Sequence, residues 1–319
     1  MPLHYFDGRV ILWDRVKGEE EFSGFIDQLN LKPPFIVKPN WINDELAHHT
    51  DPLVLEWLLN KLAGIGETVV VEAYSARNQM GKSNGDETKI EKYRRTEAKY
   101  LKKMGLDRVF DDTGVSYVNV DEEILEGSIA DPRTVRTVTE TRFGPVENGE
   151  LYTFIPSVLF DMRGGTLISL AKFKLTFSMA TKNLFGLIPD LSQPGGRGHY
   201  HGEKDRDLPR NIIDIYKIYC SVFNVVGIVE GIRNITGFID RGPHHSMFGY
   251  DYEVREDLGL VYYGTDPLWL DAFIASQCGI EPRYFKTSVL PNSHLSLGYS
   301  LSPWPDELEK IARDSGNPV

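Results

Sequence analysis

Two short apolar runs flanking one well-punctuated helix constrain this chain more than any other feature. The runs are FIVKP at 35–39 and TVVVEA at 68–73, and TDPLVLEWLLNKLAGIG lies between them. Thr50 or Asp51 can cap the helix, Pro52 sits near its first position, and Gly64 or Gly66 ends it. Leu55, Leu58, Leu59 and Leu62 form its buried stripe. Strand, helix, strand at this spacing expects parallel pairing through a right-handed crossover. The grammar returns in NVVGIVEGI, in LGLVYYGTDPLWLDAFIASQCGI, and in the helix LPRNIIDIYKIYCSVF, for which Asp207 is a candidate cap. GTLISLAKFKL has the composition of a central strand. The expected fold is α/β, with a mainly parallel sheet and helices on both faces in three layers. Thr50-Asp51-Pro52-Leu53 is echoed by Thr265-Asp266-Pro267-Leu268. Either two helices share one capping chemistry or an old duplication is preserved.

At 319 residues the chain holds one large α/β domain or two smaller ones. Residues 1–120 read as a first α/β portion. The charged, loop-rich residues 121–150 read as an insertion or small subdomain. Residues 151–290 read as a second portion completing the same core, and 291–319 as a terminal extension with a short helix. The stretch SQPGGRGHYHGEKDRDLPR is too rich in Gly, Pro and charge for a regular element, and loops of this length are functional or mobile.

The net charge of -11 argues against nucleic-acid binding, which needs a broad basic surface, but leaves room for a local anion site. The start, MPLHYFDGRVILWDR, has no signal-peptide pattern, and no apolar stretch is long enough to span a membrane. Cys220 and Cys278 are the only cysteines. They form no CxxC pair and cannot hold an iron–sulfur cluster by themselves, so none is expected. A reducing cytoplasm is the expected compartment. No other cofactor is indicated.

Against this acidic background, Arg163 to Pro189 contains Arg163, Lys172, Lys174 and Lys182 and no Asp or Glu. Lysine in a buried apolar strand is expensive unless something anionic or hydrogen-bonding meets it. Lys172 and Lys174 are two apart and share a strand face. They either cradle an anionic ligand or form the solvated face of an edge strand. Lys38 ends the apolar run IVK, where α/β folds place ligands, or else snorkels to solvent. Asn183 can orient a carbonyl or carboxylate, or serve as a turn residue.

The histidines form close sets: His48-His49, His199 with His201, and His244-His245, with His294 apart. His199 and His201 can face one metal with Glu203, Asp205 or Asp207 nearby, but no HExxH or structural zinc spacing occurs. Acid–base groups and plain loop residues are the other readings. GGRG at 195–198 and RGPHHSMFGYD at 241–251 are neither GxGxxG nor Walker A loops. Arg197 and Arg241 within them can grip a carboxylate or phosphate. Asp271 lies a turn beyond Asp266, where a Lys–Asp pair would be structural or proton-handling. GxSxG is absent.

Four pieces in order, IVKPNW at 36–41, TDPLVLEWLL at 50–59, KFKLTF with TKNLFGLIP at 172–189, and YYGTDPLWLDAFIASQCGIEPRYF at 262–285, resemble the domain of unknown function 362 family over roughly residues 30–285. Some members carry ferredoxin-like modules, so the resemblance implies redox chemistry or a redox partner protein for those members. This chain has too few cysteines for such a module. The family usually shows Lys-x-Lys-Thr-His, whereas Lys174 is followed here by Leu175-Thr176-Phe177, so the expected His is missing.

The expected site joins Lys174, Lys182, His199 and His201 as catalytic candidates with Lys38, Asn40, Lys172, Asn183, Arg197 and Arg241 as substrate contacts. It would serve an enzyme acting on a small carboxylated or phosphorylated compound by redox or proton transfer. The rival expectations are a non-catalytic anion-binding protein working with an electron-transfer partner, and a metal-dependent enzyme using the His199/His201 loop.

Overall fold

The computed structural model describes residues 3–6, 9–79, 82–174, 179–238, 241–246, 249, 251–255 and 258–277. The segment Leu175-Thr176-Phe177, Cys278, His294 and the terminal extension at 291–319 lie outside the described residues.

A hairpin of β1 (Leu3–Phe6) and β2 (Arg9–Arg15) leads into α1 (Glu19–Ile26). The unit that dominated the sequence follows: β3 (Phe35–Pro39), α2 (Pro52–Ala63) and β4 (Thr68–Glu72), with β3 and β4 parallel. Asp51 accepts from the Leu53 N–H at 2.9 Å and Pro52 opens the helix. Then come α3 (Ala76–Gln79), α4 (Lys89–Lys103), α5 (Leu106–Thr113) and β5 (Ser116–Asn119). Residues 121–150, read as loop-rich, carry most of α6 (Val120–Leu125) and all of α7 (Pro132–Phe143). Asp131 caps α7 through the Arg133 and Thr134 N–H groups, ahead of Pro132, the same Asp-Pro device that starts α2.

After α8 (Ser157–Asp161), β6 (Thr166–Lys172) crosses the centre of the sheet, and α9 (Ala180–Leu184) returns over it. A run of 3₁₀ turns, including Gly196–His201, leads to α10 (Leu208–Val222) and β7 (Asn224–Gly231). Asp207 stands at the start of α10 but makes no side-chain capping bond. A small antiparallel sheet of β8 (Ile235–Phe238), β9 (His244–His245) and β10 (Asp251–Arg255) precedes β11 (Leu260–Gly264) and α11 (Pro267–Gln277). Asp266 caps α11 at the Leu268 N–H, 2.9 Å, so the two TDPL motifs do the same local work.

The large sheet has the order β1-β2-β11-β7-β6-β3-β4-β5. From β7 to β5 every pairing is parallel, and from β7 through β11 and β2 to β1 every pairing is antiparallel. The architecture is α/β in three layers. Alternate strand residues feed two cores: Ile36, Val69, Val71 and Leu167 face α9 and α10, while Phe35, Val37, Val70 and Ile168 face α1 and α2. β3, β4 and β6 are buried along their whole length, so their apolar residues run continuously rather than alternating with polar ones.

The five-residue α9 has no cap of its own at Met179. Instead Asp271 of α11, fully buried, accepts from the Ala180 N–H at 2.8 Å and the Thr181 N–H at 2.7 Å. Removing that carboxylate in Asp271→Ala leaves two buried N–H groups without acceptors. Unfolding in denaturant should show a loss of about 2–3 kcal/mol with an unchanged m-value.

Candidate functional site

Sheet order decides where a site can form. From β3 the chain moves outward through β4 to β5, then jumps back to place β6 on the other side of β3. The connection after β3 leads to α2 on one face, and that after β6 leads to α9 on the other. A crevice therefore opens beyond the carboxyl ends of β3 and β6, the usual ligand position in such sheets. A cavity of about 250 Å³ lies there. Lys38, Asn40, Lys182, Asn183, Arg197 and His201 line it, joined by Glu72, Ser75, Gln79, Gly186 and Asp190.

Lys38 forms the floor. It is 1% exposed, and its ammonium donates to Pro39 O at 2.7 Å, Glu72 Oε2 at 2.9 Å and Asn183 Oδ1 at 3.3 Å. Three donors thus meet three acceptors. Asn183 is equally committed, its Nδ2 donating to Lys38 O at 2.9 Å and Ser169 Oγ at 3.1 Å. Glu72 also accepts from Trp41 N and Ala73 N. Burial pulls the Lys38 ammonium down to about 8, and the Glu72 carboxylate opposes that shift. Lys38 and Asn183 brace the floor and have little left to give a ligand. Gly186 closes over this pair: a Cβ there would sit 2.5 Å from Lys38 Nζ and 3.0 Å from Glu72 Oε1.

Lys172 and Lys174 share a strand face, and it is the face opposite Lys38. Lys172 pairs with Glu230 at 3.0 and 3.1 Å and donates to Arg233 O. Glu230 in turn accepts from Asp51 N, tying the sheet to the start of α2. Burial pushes the Glu230 carboxyl up to about 7, against the pull of Lys172. Lys174 donates to Asn40 Oδ1 at 2.7 Å and to His48 O at 2.5 Å. Burial, then the charges of Lys182 and Lys172, pull Lys174 down to about 7. Neither lysine lines the cavity. Lys174 reaches it only through Asn40, whose Nδ2 remains without an acceptor among the described residues.

The far wall carries Arg197, Lys182 and His201. Arg197 donates from Nε to Ile188 O at 2.8 Å and from Nη2 to Tyr74 O, and its Nη1 meets no acceptor among the described residues. The backbone of this wall is pinned by Asp190, which accepts from Arg197 N at 2.8 Å, Tyr93 Oη at 2.7 Å and Gln79 Nε2. Gly196 adopts a left-handed φ of 65° so that the chain can run against Asp190, where a Cβ would come within 2.7 Å of the carboxylate. Lys182 is half-buried, and burial followed by the Arg197 charge pulls its ammonium down to about 8. His201 lines the cavity, bonds Asp205 Oδ1 through Nδ1 at 2.8 Å and packs edge-on to Phe185. Burial lowers its pKa despite the Asp205 contact.

His199 is exposed, its ring set against Tyr200. Arg241 is exposed with a left-handed φ of 59°, and it does not line the cavity. Among the described residues no three His, Cys, Asp or Glu side chains converge as metal ligands. His48 and His49 are buried beside Lys174, with burial pulling each down to about 4, and His244 and His245 are exposed on β9. Sequence reasoning missed Glu72, Gln79, Asp190 and Gly186. Glu72 had a readable signal, a carboxylate ending an all-apolar strand as Lys38 ends its neighbour.

A family model described as a domain of unknown function (DUF362) matches residues 36–276. No curated protein and no solved structure matches the chain.

Two outcomes test this geometry. Lys38, Lys174 and Lys182 sit at about 8, 7 and 8 in the fold, against 10.5 in the unfolded chain. Between those values the unfolded chain holds more protons, so stability should rise as pH increases from about 7 to 10. Denaturant midpoints across that range check this, and Lys174→Met should flatten the lower part of the rise. Gly186→Ala should push the Lys38 ammonium off Glu72 and lower the denaturation midpoint, with a loss of about 1–3 kcal/mol.

Proposed function

This chain belongs to the DUF362 family, and because that membership names no reaction we propose one from the site itself: proton transfer on a small anionic compound, carboxylated or phosphorylated. The observation that carries the proposal is the convergence of Arg197, Lys182 and the His201–Asp205 pair on one cavity at the carboxyl ends of parallel strands. Arg197 Nη1 and the Lys182 ammonium hold the anionic group. Asn40 Nδ2 donates to a second polar substituent. His201 is the base. Asp205 fixes its Nδ1–H tautomer, so Nε2 carries the lone pair that accepts a substrate proton. Its lowered pKa keeps the ring neutral at physiological pH. Lys182, at about 8, is placed to stabilise the negative charge left on the substrate or to return a proton.

Backbone strain favours the same reading. Lys204 and Asp205 both have left-handed φ, 53° and 60°, an uncommon pair for non-glycine residues. That conformation carries the carboxylate back to His201. The cavity of about 250 Å³ suits a small metabolite, not a polymer, and neither nucleic acid nor membrane enters the scheme. No helix among the described residues is long and apolar enough to cross a membrane. The acidic chain and its buried free thiol at Cys220 fit a cytoplasmic enzyme.

Ligands should be sought by thermal shift across a panel of small carboxylates and phosphate monoesters. Arg197→Ala should weaken the best anion by about 10–100-fold. His201→Gln should cut solvent-deuterium incorporation into that ligand by at least about 100-fold while its affinity changes little. Wild-type exchange should decline on the acid side with a midpoint below 6.5, as His201 takes up a proton. Unchanged affinity in the arginine variant would dispose of the anion site. Tight binding without exchange in the wild type would favour a carrier over an enzyme.

A further inference from the structure

A second cavity, of about 470 Å³, is lined by Arg77, which bonds Trp41 and Ser75 of the first cavity's lining. Its lining is opposite in character to the chain as a whole. Arg77, Lys82, Arg95, Lys99 and Lys103 face it, with Asp44 the only carboxylate among the described lining residues, in a protein of net charge -11. Arg95, Lys99 and Lys103 are spaced four apart along α4 and so form one row of like charges, a spacing that costs a helix stability unless something neutralises it.

The neutralisation is uneven. Glu87 grips Arg95 at 2.7 and 2.8 Å, Asp44 pairs with Lys103, and Glu97 holds the buried Arg77 from behind at 2.9 and 3.0 Å. Lys99 and Lys82 have no side-chain acceptor among the described residues, and both are exposed at the rim. The platform beneath them is built. Arg95 donates to Lys82 O at 3.2 Å, fixing that loop to the helix. The floor is the Tyr100 ring, with the Arg77 guanidinium 5.2 Å above its centre. A solvated basic face would show neither the concavity nor the bracing.

We propose that this cavity binds a condensed phosphate, a ligand with two linked phosphoryl groups. Lys82 and Lys99 offer two ammonium groups without a side-chain acceptor among the described residues, and a diphosphate carries one phosphoryl group for each. The ligand is drawn in by the local field despite the acidic chain. Free pyrophosphate and a nucleoside diphosphate offer the same linkage, and the difference between them is read by measurement.

Calorimetric titration of the full chain at about 0.15 M ionic strength should give one saturable site for pyrophosphate, for ADP, or for both. The tighter of the two identifies the source. Lys82→Ala with Lys99→Ala should weaken that site by at least about tenfold, since each charge-assisted contact contributes on that order. Both positions are exposed, so the variant should keep the wild-type thermal midpoint. Arg197→Ala should retain wild-type pyrophosphate affinity, which separates this cavity from the first. The proposal is overturned if neither diphosphate saturates, if the double variant binds as wild type, if Arg197→Ala abolishes the site, or if only an oligoglutamate peptide binds.

Discussion

A lysine ammonium buried at the end of a fully apolar strand must be met on every side, and the contacts around Lys38 organise the site. Glu72 supplies the counter-charge from β4, Pro39 a carbonyl from β3 itself, and Asn183 an amide from α9. Each comes from a different element, so the pair cannot form until two parallel strands and the returning helix are in place. Removing one partner would strand the other charge in a low-dielectric interior, far costlier than losing a surface ion pair. The same contacts position Gly186, which must lack a side chain because the Lys38 ammonium and Glu72 occupy that space.

This frame separates groups that build the cavity from groups that can act in it. Lys38, Asn183 and Lys172 spend their hydrogen-bonding capacity on the protein. Arg197, Asn40 and His201 each retain an atom without an acceptor or donor among the described residues, and all three border the cavity. Arg197 and His201 are carried on a 3₁₀ turn (Gly196–His201) pinned to Asp190, while the sheet provides the floor. Placing adaptable contacts on loops and fixed charges on strands is a common division in α/β proteins.

Arg77 links the two cavities, lining the second while bonding Trp41 and Ser75, which line the first. Its guanidinium donates to Trp41 O, Ser75 Oγ at 2.7 Å and Ala73 O, while its other face lies on Tyr100. Glu97 balances that charge and also accepts from Tyr117 and Asn78. A single buried ionic network thus sets the spacing between β4, α3 and α4.

The sequence alone determined the layers. Continuous apolar runs broken by Asp-Pro caps can only be buried strands and the helices that cover them, because both the hydrophobic pattern and the cap are local. It also singled out ten candidate residues from charged or amide groups, which require partners, beside apolar runs and in a Gly-rich loop; Lys38, Asn40, Lys182, Asn183, Arg197 and His201 line the cavity, and Lys172, Lys174, His199 and Arg241 do not. Tertiary structure alone decided which partners. The register that sets Lys38 beside Ser169 put Lys172, at the end of β6, and Lys174, two residues beyond it, on the face opposite Lys38. The fold gave Glu72 to Lys38, Glu230 to Lys172 and Asp271 to the start of α9. Those pairings span 34, 58 and 91 residues, and no local pattern encodes a contact that depends on which strands become neighbours.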